Sequence, residues 1–478
     1  MMGKNLQSIL SRLSVSSLLR KIETMQKQKD QVMQPVTMAV LIAVVILSEL
    51  PSFSALINSS SHSVIPGKPV SPLVAETMGN TDELRPSNFV NFPVYGNVYP
   101  NGFYYVPIVI GNPPKHYYLN IDTGSDLTWL PKAHINPSYL SPFFFCSNPE
   151  YFLLILIIIT INIIVAGLYE SQSIRYIRCD EPLCIDVKCK NTLPCDYEIS
   201  YLDGVTSRGH LVADTFALQL KGGSWFRPTL VIGRGAYYSS TGPNRHSTTH
   251  GMLGLGKGKI SILSQLRRNH HFANIFGHCL SSNSRVSGFM FIGQDFDYSR
   301  CLTWVPMSSD VSRYSLTTTE VMYGDHEQSL LGRNQAFVLD SGTTNTYFVD
   351  PLYQELLTKV ADMPLQKVPG DDEHPDCWED TRPFTSIPDL RNRFSSLYLK
   401  LGNGRALEIP PENYLIITED GVACLAIFNG FAHGLNNFNL IGAISMQNVI
   451  IVYDNEVKKI GWARVAGCSK PPVGSCTP

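Results

Sequence analysis

Two segments 218 residues apart share a design that restricts the fold more than any other feature of this chain. The first is YYLNIDTGSDLTWL, from Tyr117 to Leu130, and the second is AFVLDSGTTNTYF, from Ala336 to Phe348. Each is an apolar, strand-like run that ends in an acid, Asp122 or Asp340. Aligned on those acids, Ile121 matches Leu339, Thr123 matches Ser341, Gly124 matches Gly342, and Ser125 matches Thr343. Further on, Thr128 and Trp129 match Thr346 and Tyr347. A single Asp-x-Gly is an ordinary turn signal. Two copies with the same flanks need another explanation. Their separation is too long for a solenoid repeat and suits two similar lobes within one chain.

The rest of the chain is compatible with that reading. Its 478 residues are enough for two domain-sized units, each with its own core. Net charge is −2 and no basic stripe occurs, which argues against a nucleic-acid partner. The stretch GMLGLGKGKIS carries Gly254, Gly256 and Gly258, but it lacks the spacing of a phosphate-binding loop. His270 and His271 are adjacent, which is not a zinc spacing, and read as surface residues. No metal and no organic cofactor is called for. From YYVPIVIG onward, short runs of Val, Ile, Tyr and Phe alternate with Gly, Pro, Asn and Asp turns, so the expected fold is all-β. Two helices are expected. One covers Asp350 to Met363, with Asp350 as cap and Pro351 at the first position, and the other covers ISILSQLRRNHHF.

The N-terminal region reads as targeting sequence. Val36 to Leu47 is a 12-residue apolar core with Lys21, Lys27 and Lys29 before it and small residues after it. It is short for a span. The leader before it is long, so either residues 1–55 hold an uncleaved signal anchor or translation starts at Met33 or Met38. Residues 56–95 are rich in Ser, Pro and Asn and read as a propeptide or linker, with one glycosylation sequon at Asn58. Eleven cysteines fit an oxidising compartment, whether extracellular, apoplastic or vacuolar. The N-terminal lobe is expected over 96–306, the C-terminal lobe over 307–468, and a tail over 469–478. An atypical insertion lies at about 133–172. Within it, Tyr151 to Gly167 is a 17-residue run without charge. As a helix it would be about 25 Å long, slightly under the roughly 30 Å hydrocarbon core. A span there would put Asp122 and the downstream strands on opposite sides of a bilayer. The preferred reading is a segment foreign to the fold, such as retained non-coding sequence. A membrane contact and a buried strand pair stay open.

Paired carboxyls at strand ends have a definite chemistry. Two carboxylates about 4 Å apart, at an effective dielectric of about 20, repel by roughly 4 kcal/mol. This separates their two proton losses by about three pH units. Over a wide acidic range the pair then holds one proton. One member can accept a proton from water while the other donates to a carbonyl, which is what direct amide hydrolysis requires. Gly124 and Gly342 let the backbone turn tightly beside the acids. Thr123 and Ser341 can cross-link the two turns through their hydroxyls. Ser125 and Thr343 can hold the outer carboxylate oxygens, although ordinary turn capping is an equally available role.

The chain resembles the pepsin-like aspartic proteases, and in particular their plant nucellin-like and nepenthesin-like branch. The resemblance runs from about Tyr99 to Cys468, interrupted by the insertion. It rests on IGNPPKHYYLNIDTGSDLTWL, CDYEISYLDGVTSRGHLVADTF, HGMLGLGKGKISILSQL, FVLDSGTTNTYF and NLIGAISMQNVIIVYDNEVKKIGWA. The shared proton described above is an established property of aspartic-protease dyads, applied here to Asp122 and Asp340. The resemblance implies a bilobal pepsin-like fold with a peptide cleft, polypeptide substrates and a monomer. It implies that Met252-Leu253-Gly254 and Leu440-Ile441-Gly442 lie over the two catalytic loops. It also implies that ISYLDGVTSRG is a flap whose Tyr201 bonds the indole of Trp129; a cross-strand aromatic is the alternative role for Tyr201.

Departures from that pattern are confined to the cysteines and the insertion. No cysteine cluster follows Trp129 until Cys146, and Arg234 stands where a cysteine is expected. Partners for Cys179, Cys184, Cys189 and Cys195 are therefore expected to be missing or moved, leaving a less stable first lobe. By resemblance, Cys377 pairs with Cys424 and Cys279 with Cys468. Two functions follow. One is an active aspartic endopeptidase. The other is a non-catalytic peptide-binding or inhibitor module on the same fold. A membrane-tied form through 36–47 is a further variant.

Overall fold

A computed structural model describes residues 88–131, 171–186, 189, 194–201, 204–239, 250–270, 272–283, 285–294, 302–309, 312–324, 330–371 and 374–468. The apolar runs at 36–47 and 151–167, the leader, the tail and His271 lie outside them. Among the described residues, no helix is long and apolar enough to cross a membrane.

The fold is bilobal and all-β, with few helices. Its first feature is a long strand, Phe89–Asn97, whose alternation buries Val90, Phe92 and Val94. Residues 89–94 pair with Gly288–Gly293, while 95–97 pair with Phe103–Ile110, so one strand serves two sheet regions. On one side it joins Gly288–Gly293, Ile275–Cys279, Val449–Asp454, Lys459–Arg464 and Thr303–Pro306. On the other side the ladder continues through Phe103–Ile110 and Lys115–Asp122. This strand begins inside the stretch read as propeptide or linker, so residues 89–95 belong to the fold. The Ser- and Asn-rich composition of the preceding residues obscured their period of two.

The two halves repeat one local arrangement. Lys115–Asp122 runs parallel to Met252–Gly254, which in turn meets Trp129–Pro131 in antiparallel fashion. Ala336–Leu339 runs parallel to Asn439–Ile441, which meets Thr346–Phe348 in antiparallel fashion. In each case a three-residue strand, apolar except for Asn439 and Gly254, fills the gap between the strand that carries the acid and the strand that follows it. Leu253, Leu440 and Ile441 are buried there, and the larger core spreads from Ile121 and Leu339.

The expected helices form at Ile262–His270 and Leu352–Ala361. The first buries Ile262, Leu263 and Leu266, and Gln265 bonds both the N–H and the carbonyl of Val231. The second starts later than expected, because Pro351 occupies the cap position. The Asp350 carboxylate does not cap it and instead accepts from Asn429 Nδ2. His270 is not a free surface residue. It is half-buried, with its ring edge-on to Phe226 at 5.2 Å.

Four disulfides form among the described residues. Cys279–Cys468 and Cys377–Cys424 match expectation. The first-lobe cysteines do not lack partners: Cys179 pairs with Cys189, and Cys184 with Cys195. Short spacings of 10 and 11 residues let the segment close on itself without a distant cysteine. Lys259 Nζ docks it by bonding the carbonyls of Pro182 and Cys184. The expectation of a weakened first lobe therefore loses its basis.

Candidate active site

Asp122 ends its strand and is buried at 3% exposure, while Asp340, just past Leu339, is half-buried. Each carboxylate is held by its own turn in the same way. Gly124 N donates to Asp122 Oδ1 at 2.8 Å, and Ser125 Oγ donates to Oδ2. Gly342 N donates to Asp340 Oδ1 at 2.9 Å, and Thr343 Oγ1 to Oδ2 at 2.8 Å. The hydroxyls expected to fix the outer oxygens do so.

The turns also lock to each other. Thr123 N donates to Ser341 Oγ at 3.2 Å, and Ser341 N to Thr123 Oγ1 at 2.9 Å. Thr123 Oγ1 donates to the Leu339 carbonyl and Ser341 Oγ to the Ile121 carbonyl, both at 2.9 Å. Four bonds thus join residues 216–220 positions apart, all buried. The crossing brings each acid against the opposite glycine. A Cβ on Gly124 would lie 2.5 Å from Asp340 Oδ2, and one on Gly342 would lie 2.5 Å from Asp122 Oδ1. These positions need glycine because the other lobe's carboxylate occupies the space.

Burial, and after it the facing Asp340 carboxylate, raise the Asp122 pKa well above the ordinary carboxylate range. Bonds from Ser125 and Gly124 pull it down but do not prevail. Asp122 therefore resists ionisation, as two close acids require.

The strands Asp196–Ser200 and Thr206–Gln219 form the hairpin expected as a flap, closed near its tip by Tyr201 N to the Val205 carbonyl. Trp129 Nε1 donates to Tyr201 Oη at 2.7 Å, and Ser125 lies near the same hydroxyl. Burial first, and then the nearby Asp122, push the Tyr201 pKa up, so its hydroxyl stays neutral.

Some contributors were not singled out from sequence. Thr128 Oγ1 accepts from Gly254 N, and Thr346 Oγ1 from Gly442 N, both at 3.1 Å. These bonds tie the apolar-apolar-Gly strands to the acid-bearing turns. The signal was present, since Thr128 and Thr346 align between the two copies. Gly254, Gly256 and Gly258, weighed as a phosphate loop, instead wrap the turn after Ser125. Gly258 N donates to Asp126 Oδ1 at 2.7 Å, and a Cβ on Gly256 would meet that oxygen at 2.3 Å.

The class defined by this fold and site is a bilobal, pepsin-like one with an acid from each lobe. A family model described as Xylanase inhibitor N-terminal matches residues 104–294, and one described as Xylanase inhibitor C-terminal matches 325–464. An aspartic proteinase of Oryza sativa subsp. indica is 32% identical over 411 residues, covering 81% of this chain and 93% of that protein. Aspartic proteinase nepenthesin-1 of Nepenthes gracilis is 25% identical, covering 76% of this chain and 78% of that protein. Among solved structures, basic 7S globulin from soybean superposes with a TM-score of 0.60 at 17% identity, covering 80% of this chain and 99% of that one. Aspartic proteinase from Irpex lacteus does so with a TM-score of 0.55 at 16% identity, covering 80% and 98%. At those identities the two structures establish a shared fold. The chain belongs to the plant pepsin-like aspartic protease family.

Proposed function

We propose that the protein is an aspartic endopeptidase in which Asp122 and Asp340 activate a water molecule between them. The observation that carries this reading is the reciprocal geometry, in which each acid is held by its own turn and pressed against the glycine of the other. Such a pair holds one proton between two oxygens. The ionised member takes a proton from the attacking water, and the protonated member donates to the carbonyl oxygen of the peptide bond. Collapse of the resulting diol returns a proton to the leaving nitrogen, without a covalent intermediate. The hairpin that carries Tyr201, held through the Trp129 indole, is a lid that shields the reacting bond from bulk water. Thr123, Ser341, Ser125 and Thr343 fix the carboxylates within the narrow tolerance such chemistry demands. The substrates are polypeptides bound between an N-terminal lobe (96–306) and a C-terminal lobe (307–468). Four disulfides support a secretory-pathway protein.

A non-catalytic binding or inhibitor module is the second reading. It is favoured by the inhibitor description of the family model and by the globulin among the structural neighbours. Retention of both acids, with their full hydrogen-bond support, favours catalysis. The test is cleavage of an unfolded protein substrate by the purified chain from about pH 3 to about pH 7, with and without pepstatin. Pepstatin-sensitive cleavage is expected. A folded protein that binds pepstatin or peptides but leaves them uncut for hours would establish the second reading.

A further inference from the structure

Arg313 is an exposed arginine one residue before Tyr314, whose carbonyl accepts from Leu339 N at 2.8 Å. Leu339 directly precedes Asp340, so the Arg313 backbone lies beside the turn that holds this acid. The strand Ser315–Thr317 continues the pairing, with Ser315 opposite Val338. Val338 is in turn opposite Leu440, and Leu440 opposite Tyr347. Residues directly opposite share a sheet face, and so do alternate residues along a strand. Arg313, Asp340, Phe438 and Tyr347 therefore belong to one face. The Arg313 guanidinium reaches across this face and lies over the Phe438 ring, 4.6 Å from its centre. Phe438 and Tyr347 are half-buried and pack against Val349, Leu435 and Leu440. An aromatic shelf thus extends from the Asp340 turn, with one cation at its edge.

The charge on this face is unmatched. Apart from Asp340, Arg313 is the only charged side chain in 312–317, 336–348 and 438–446. Among the described residues it has no hydrogen bond and no ion pair beyond its contact with Phe438. Asp340 is not its counter-ion, since the Asp340 oxygens accept from Gly342 N and Thr343 Oγ1. A long apolar side chain would cover Phe438 as well as arginine does, without leaving a charge alone. The shelf also has a definite length. Phe438 stands three residues before Ile441, whose carbonyl accepts from Asp340 N at 3.0 Å. At about 3.3 Å per residue this is about 10 Å, which an extended peptide covers with about three residues.

We propose that Arg313 is a specificity-determining residue that selects polypeptides with an acidic side chain, glutamate or aspartate, within about three residues of the bond that is cut. The inference deepens the endopeptidase reading and rests on it. A peptide stretched from the acids along the shelf lays its apolar parts on Tyr347 and Phe438 and brings a carboxylate to the guanidinium. The planar guanidinium can keep its face on the ring while its N–H groups take both carboxylate oxygens edge-on. A basic side chain at the same place meets a like charge, so one residue selects both by attraction and by repulsion.

The experiment uses the full chain and peptides that differ only in carrying Glu, Gln or Lys at each of about three positions on either side of the cleaved bond. At about pH 5.5 a substrate glutamate is ionised. Glu is then expected to exceed Gln about fivefold in kcat/KM at one position, with Lys below Gln. The gain should lie in KM, with kcat within about twofold, because the contact is as strong before the reaction as during it. It should shrink at about 0.5 M salt. Arg313→Gln should level Glu and Gln, and Arg313→Glu should favour Lys at that same position. Arg313 is exposed, so both variants are expected to keep the urea midpoint of the wild type. No preference for Glu at any position, or a preference that persists in Arg313→Glu, would overturn the proposal. Calorimetric binding of the same peptides, with a hydroxyethylene group in place of the scissile bond, keeps the two readings apart. A protein that binds the Glu peptide most tightly through Arg313 but cuts none would remove the endopeptidase reading alone. Turnover without any charge preference would remove the role of Arg313 alone.

Discussion

The two acid-bearing turns are nearly identical in bonding and different in surroundings. Each carboxylate takes a backbone N–H two residues on and a hydroxyl three residues on. Each turn gives one hydroxyl to the other lobe's backbone. Yet Asp122 is buried beneath a hairpin that contributes Tyr201, next to Trp129, whereas Asp340 is half-buried and its turn is followed by Tyr347 in place of a tryptophan. Tyr347 packs instead on Phe428 and His433. The internal repeat fixes where the acids stand. The unrepeated elements decide how each one behaves. If that division is right, changes within the repeated part should act alike from either lobe, and changes around it should not.

The largest effect tests the repeated part. Asp122→Asn and Asp340→Asn should each lower kcat by about 10³-fold or more, and the double variant should be no worse than either single one, because the acids act as one unit. Urea unfolding should show all three folded. A single variant that keeps a tenth of the activity would mean that one acid is dispensable, and the symmetry would then be structural only.

Next come the glycines. Gly124→Ala places a methyl group against the Asp340 carboxylate, and Gly342→Ala places one against Asp122. Each substitution should displace the opposite acid and cost about 10²-fold in kcat, since misplacement by about 1 Å is enough for that. The crossed assignment can be read from structures of the two variants. Displacement of the acid on the same turn would contradict the interlocked geometry.

How much of this was legible in the sequence follows the same division. The acids, their glycines and their hydroxyls were readable because the chain states them twice, so one copy interprets the other. The apolar-apolar-Gly strands and the Tyr201–Trp129 contact came from family resemblance, and the structure brings those residues together. The pairing of Cys179 with Cys189 and of Cys184 with Cys195 was missed, because a pattern learned from relatives gave no weight to closure within one short segment. Asp350 was misread as a cap because its identity suits one, while the helix that follows begins beyond Pro351. Arg313 and Phe438 could not have been paired by pattern. They meet only because Ser315–Thr317 and Asn439–Ile441 flank Ala336–Leu339.

The surroundings can be tested through pH. Because burial and Asp340 raise the Asp122 pKa in the folded state, the unfolded chain binds fewer protons at this group between its ordinary value and the raised one. Stability from this site is therefore complete below about pH 4 and is lost as pH rises toward the folded pKa, by at most about 1.4 kcal/mol per pH unit. Asp122→Asn should remove that slope, and it should be more stable than the wild type near neutral pH but not at about pH 4. Urea midpoints at several pH values measure this. A wild type and variant that run parallel across pH would show that Asp122 is not perturbed by its surroundings.

The smallest effect separates the two outer hydroxyls. Ser125 lowers the Asp122 pKa, against burial and the Asp340 charge, and it lies near the Tyr201 hydroxyl. Thr343 has the same kind of bond, to Asp340, at a half-buried acid. Ser125→Ala should therefore move the pH profile of kcat/KM to higher pH and also raise KM, because the tyrosine loses a polar neighbour. Thr343→Ala should lower kcat by a similar modest factor, on the order of tenfold, without the change in KM. The threonine variant has to orient an acid that water can still reach, so part of its lost bond is replaced by solvent. The serine variant leaves a buried acid without its outer donor, and no such replacement is available there. Equal effects of the two substitutions on both kinetic constants would mean that the flap side contributes nothing beyond the repeat, and that the asymmetry around Asp122 has no functional consequence.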